Sequence, residues 1–159
     1  MAIIVGVAGG LFSYYAGLVV IVAVLSRFLG QPPRAVPRKI LTTPRQLFAA
    51  ILIAAPLEEV CFRGPLLLMA MIFGTKSFLT IGLLIAESVI FGALHLTATA
   101  QFSDSGWTVG ERREMAALSA IITAWLGLVL GLLTLFYLNL LPAILTHAAV
   151  ITVVWFRRK

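Results

Sequence analysis

The chain has 159 residues, of which 61% are hydrophobic and only 11% charged, with a formal net charge of +6. Soluble domains carry about 25% charged residues, so this composition excludes a soluble globular domain and indicates an integral membrane protein. The basic residues sit in short connecting segments and form no broad face, which argues against nucleic-acid binding, and a single cysteine, Cys61, excludes an intrachain disulfide.

At about 20 residues per span, the length allows four to six membrane helices in one domain, residues 1–159. The alternating ten-residue segments of a membrane β-barrel do not occur, so the expected fold class is all-α, a polytopic helix bundle. The first apolar stretch runs from Ala2 to Leu29; with no basic segment before it and no small-residue cleavage site, it is expected to be a retained helix. A polar linker, Gly30 to Pro44, holds Pro32, Pro33 and Pro37 among Arg34, Arg38 and Lys39. The second stretch, Leu47 to Phe73, contains Pro56, which removes a hydrogen bond and crowds the preceding turn. The expectation is a short tilted helix up to Ala55 and a new helix with Pro56 in its first turn. Glu58 and Glu59 then lie just inside a helix start, where negative charge is favoured.

The third stretch, Phe78 to Leu96, ends in Phe91-Gly92-Ala93-Leu94-His95, and a polar loop is expected over Thr97 to Glu114. The fourth, Met115 to Leu138, carries Gly127 and Gly131, a spacing that suits close helix packing within the fold. The fifth, Leu140 to Phe156, contains Pro142 and His147 and is closed by Arg157-Arg158-Lys159. Trp107, Trp125 and Trp155 are expected at the membrane interfaces or against lipid. Five alternating spans place ten of the twelve Lys and Arg on one side, with Lys76 opposite and Arg63 inside a span. That basic side is expected to be cytoplasmic, with the N-terminus outside and the C-terminus in the cytoplasm.

Within the spans the ionisable residues of interest are Glu58, Glu59, Arg63, Glu87, His95 and His147. A charged group at bilayer depth costs about 2.5–3.5 kcal/mol on insertion scales, so such residues mark a reaction centre or an ion pathway. Glu59 and Arg63, four apart on a helix, face the same way and can pair, which leaves Glu58 as the unpaired carboxylate for the two histidines to approach. A carboxylate and two imidazoles in a protected cavity can activate water, directly or through a metal, for attack on an amide carbonyl. Glu87, two turns before His95, is expected as a structural partner or a cavity-lining group, and Cys61 as a buried, inert thiol.

Glu58-Glu59-Val60-Cys61-Phe62-Arg63-Gly64 fits an EExxxR motif, Phe91 to His95 fits an FxxxH motif, and His147 fits a third motif in the last helix. Together, over about residues 47–155, they resemble the CPBP family (CAAX proteases and bacteriocin-processing proteins, also called Abi), which are intramembrane proteases. The resemblance implies that Glu58 activates the attacking water with help from His95, that His147 polarises the substrate carbonyl or stabilises the oxyanion, and that Glu59, Arg63 and Phe91 support them. It leaves open whether Glu58, His95 and His147 hold a divalent metal such as zinc or work without one. It implies a membrane-embedded or membrane-anchored peptide or protein substrate, CAAX-like or a C-terminal sorting signal, and a place in the lipid bilayer, as in prokaryotic inner-membrane members. The sequence departs from the family four residues after His147, where the usual Asn or Asp is Ile151. Two other classes follow from the same residues. One is an inactive scaffold or immunity factor, which Ile151 favours; the other is a cation pathway, which the small number of spans and the lack of inverted halves disfavour.

Overall fold

A computed structural model of the chain describes residues 2–29, 43–96 and 108–157. Its elements, in order, are α1 (Ala2–Leu29), α2 (Pro44–Ala49), a π-helical turn (Ala50–Ala54), α3 (Ala55–Phe73), α4 (Phe78–Leu94), α5 (Val109–Tyr137) and α6 (Leu141–Arg157). No strand occurs among the described residues, and α1, α3, α4, α5 and α6 form the helix bundle expected from the sequence. Ala2–Val24 and Val109–Tyr137 are by themselves long and apolar enough to cross a membrane, and Phe78–Leu94 and Leu141–Phe156 are shorter apolar helices.

α5 lies at the centre, against α1, α3, α4 and α6. The polar side chains line the inside of the bundle. On α3 the buried residues are Ala55, Glu59, Arg63, Leu66 and Ala70, one stripe at helical spacing, and on α4 Glu87 and Ser88 share the inner face with Thr80, Leu84, Phe91 and Gly92. The large side chains left outside, such as Phe12, Phe78 and Phe136, are apolar and suit contact with lipid. Buried hydroxyls on Ser88 and Thr134 each donate to the carbonyl four residues back, which satisfies them inside their own helix.

Small residues let the helices approach. Gly92 lies against Ala120 and Ala124 of α5, Gly127 against Phe91 and Arg63, and Gly131 against Leu84 and Leu66. Gly127 and Gly131 thus serve packing within the fold. Two boundaries differ from expectation. α5 starts at Val109, because Thr108 and Glu111 form a reciprocal capping box that begins the helix inside the polar segment. At Pro56 the chain keeps a helical path: the Ala55 N–H donates to the Ala50 carbonyl, five residues back, and Ala54 and Ala55 both have right-handed helical angles. This wider turn gives the proline ring the space that an α-turn would deny it.

Three expectations are corrected. Cys61 is exposed, because α3 turns its apolar face outward and its charged face inward. Trp155 is buried and Trp125 packs on Gly17 of α1, so both belong to the bundle interior; Trp107 lies outside the described residues. Glu58 and Glu59 do not sit at an open helix start, since helical backbone precedes them, and their charge is met by side chains.

Candidate active site

α3, α4 and α6 each bring charged or imidazole groups to one region. Glu59 of α3 is fully buried, and its Oε1 accepts a hydrogen bond of 2.8 Å from Nδ1 of His147 on α6. The Arg63 guanidinium, also fully buried, donates from Nη1 to Oε2 of Glu87 on α4 at 3.2 Å. Its Nε lies 3.6 Å from Glu59 Oε2, an ion pair without a hydrogen bond. The expected Glu59–Arg63 pair is therefore present only as the looser half of a chain, Glu87–Arg63–Glu59–His147, that links three helices. Each buried charge has an opposite charge beside it, the condition under which charges persist in a dry interior.

Glu58 stands outside that chain. Its carboxylate is 41% exposed, and Oε2 lies 3.9 Å from Nε2 of His147. Its neighbour in sequence is buried because adjacent helix positions point about 100° apart. Phe91 ties the rest together: its ring lies 5.2 Å from that of His95 and 6.0 Å from that of His147, and the Arg63 guanidinium sits 5.5 Å from its centroid. This cation–π contact gives the guanidinium a further favourable neighbour in the interior.

His95 terminates α4, and its Nδ1 is 2.8 Å from the carbonyl oxygen of Phe91, one turn back. A carbonyl only accepts, so Nδ1 carries the proton and the neutral ring has its lone pair on Nε2. The Glu59 carboxylate similarly accepts a hydrogen bond from the Nδ1–H of His147. Both imidazoles thus keep Nε2 for chemistry, because each Nδ1 is already engaged.

A cavity of about 260 Å³ opens between the helices, with His95, His147, Phe91, Tyr14, Ile151 and Trp155 in its wall. The structure brings both histidines to this cavity; Glu58 meets His147 from the α3 side. Neither nearby threonine replaces the polar group missing at Ile151. The Thr152 hydroxyl donates to the Ala148 carbonyl, and that of Thr146 lies toward Gly10 of α1. Among the described residues no three His, Cys, Asp or Glu side chains gather as a metal-ligand set. As placed here, Glu58, His95 and His147 form no such set.

The profile of the family described as type II CAAX prenyl endopeptidase Rce1-like matches residues 41–153, more than two thirds of the chain. The chain belongs to this Rce1-like family. The match covers α3 to α5, most of α6, and every residue of the network just described, while α1 lies outside it. Membership in this peptide-hydrolase family supports the membrane placement suggested by the apolar helices. No curated protein and no solved structure matches the chain.

Proposed function

We propose that the protein is an intramembrane endopeptidase that cleaves near the C-terminus of a membrane-anchored substrate, with a prenylated CAAX-type end as the first candidate. The observation that carries this reading is the pair of imidazoles whose Nδ1 atoms are both engaged, at Phe91 and Glu59, beside the half-exposed carboxylate of Glu58.

The attacking water lies between Glu58 and the histidines, since a polar separation of 3.9 Å suits one bridging water. Glu58 takes the water's proton, with His95 Nε2 as the second acceptor, and hydroxide attacks the amide carbonyl. His147, oriented by Glu59 through Nδ1, donates from a protonated Nε2 to the oxygen that becomes negative. The tetrahedral intermediate then collapses, its C–N bond breaks, and Glu58 returns the proton to the leaving amine, so that a carboxylic acid and an amine are released. Atoms balance with water as the only co-reactant.

The test is cleavage of a prenylated CAAX peptide by purified protein in lipid nanodiscs. Glu58→Gln, His95→Gln and His147→Gln are each expected to lower kcat by about 100-fold or more while the protein stays folded, given the usual size of general acid–base and oxyanion contributions. A zinc chelator should leave wild-type turnover unchanged. Full activity in Glu58→Gln would reject the assignment. A second reading, a scaffold without catalysis, is favoured by Ile151 in the cavity wall beside His147. It requires that cells carrying Glu58→Gln behave as wild type.

A further inference from the structure

We propose that Glu87 is a positioning residue for His147: it takes up Arg63 so that Glu59 is left free to orient the imidazole. The proposal rests on the assignment of His147 as the carbonyl-facing donor and adds a residue on α4 that acts on it through two intermediaries.

The argument starts from a competition. On a helix, Glu59 and Arg63 are four apart and would ordinarily pair. A guanidinium and a carboxylate fit best as a two-pronged pair, in which both oxygens are taken. Here that pair does not form. Among the described residues, the side-chain hydrogen bond of Arg63 goes across to Glu87 at 3.2 Å, while its Nε stands 3.6 Å from Glu59 and has no hydrogen-bond partner there. Glu59 Oε1 is consequently available to His147 at 2.8 Å, across 88 positions of sequence. Phe91 under the guanidinium and Gly127 beside Nη2 hold Arg63 in the pose that reaches Glu87.

Burial sharpens the competition. Glu59 and Arg63 have no exposure, and Glu87 is 5% exposed. A cation there cannot turn to water if Glu87 is removed. The neighbouring anion is Glu59, so Arg63 would close on it and weaken the His147 bond. Removing Arg63 as well would abolish the competitor and restore that bond. A mere fold-holding ion pair makes no such forecast, because losing both partners would not return His147 to its wild-type state.

Nuclear magnetic resonance can read this directly, because His95 and His147 are the only two histidines. The probe is full-length protein labelled with ¹⁵N-histidine in lipid nanodiscs at one fixed pH, with the two rings assigned through His95→Gln. In Glu87→Leu the hydrogen-bonded Nδ1 proton of His147 is expected to shift upfield and exchange faster with water, while the His95 signals stay in place. In Glu87→Leu/Arg63→Leu the His147 signal should return. Glu87→Gln keeps the volume and an acceptor oxygen, so it serves where leucine is not tolerated; it should give an intermediate shift of the same signal. In the peptide assay, Glu87→Leu should lower kcat by about 100-fold, the usual cost of a misplaced catalytic group, with KM unchanged. An unmoved His147 signal in folded Glu87→Gln, equal movement of both rings, or failure of the double variant to restore the signal would overturn the proposal. The spectrum needs no substrate, so a failure of the protease assignment remains distinguishable from a failure of this one.

Discussion

Two adjacent glutamates with opposite environments show how much one helical step decides. Glu58 and Glu59 form one motif in the sequence, yet Glu59 is fully buried and bonded to His147 while Glu58 stays half exposed. The motif spacing predicts the shared face of Glu59 and Arg63, and the structure keeps it. The Glu59–His147 and Arg63–Glu87 bonds were not legible, because they join positions far apart in sequence on helices whose relative rotation no local pattern specifies. The misplacement of Cys61 has a related cause: a membrane helix is apolar on its lipid face, so apolar neighbours do not mark the interior. Glycines offer a test at this scale. A Cβ at Gly92 would lie 2.5 Å from the Ala120 carbonyl oxygen and 2.7 Å from the Ala124 Cβ, whereas one at Gly64 would have nothing within 4 Å. Gly92→Ala is expected to destabilise the protein by about 1–3 kcal/mol through overpacking. Gly64→Ala should be neutral or stabilising by up to about 1 kcal/mol through helix propensity. Thermal unfolding in detergent compares the two, and equal midpoints would contradict the close α4–α5 contact.

Among the elements, the π-helical turn before α3 best separates what the sequence could and could not convey. Pro56 announces an interruption near Ala55, and an interruption is present. Its form was not legible, since a proline is compatible with a break, a kink or a widened turn, and only the packing of both flanks selects among them. The flanks here are Leu47 of α2, which is buried, and the inward stripe of α3 that carries Glu59 and Arg63. A widened turn contains in effect one extra residue, so deleting Ala54 should tighten it to an α-turn and rotate one flank by about 100°. The buried charge network resists rotation more strongly than one leucine against neighbours as apolar as lipid. The deletion is therefore expected to turn α2, lower the thermal midpoint by roughly 2–4 °C, the size of a one-kcal/mol loss in a chain this long, and leave the histidine spectrum unchanged. Displaced His147 signals would mean that α3 had turned instead.

At the scale of the whole molecule, the helix count and the charge distribution bear on the same question. The bundle consists of α1, α3, α4, α5 and α6; if each crosses the membrane once, as expected from the sequence, the segment between α1 and α2, that between α4 and α5, and the C-terminal residues would fall on one side. In the sequence, those segments with their flanks hold ten of the twelve basic residues, and the short turn between α3 and α4 carries Lys76. Loop Lys and Arg are preferentially retained in the cytoplasm during insertion, so the expected orientation, with the N-terminus outside, rests on the sum of three separate segments. Glu58 lies in the first turn of α3 and His95 just after α4, at the ends of these helices away from the Lys76 turn. With that orientation the site would lie toward the basic side, where the proposed substrate, anchored to the cytoplasmic leaflet, would present its C-terminus. Cysteine labelling tests this, because Cys61 is the only native cysteine and Cys61→Ser gives a blank background. In intact cells, Lys76→Cys should react with a membrane-impermeant maleimide, whereas Arg45→Cys and Glu114→Cys should react only after permeabilisation. The reverse pattern would place the site toward the outer face and exclude a cytoplasmic prenylated substrate, while the geometry that joins Glu58, His95 and His147 would stand unchanged.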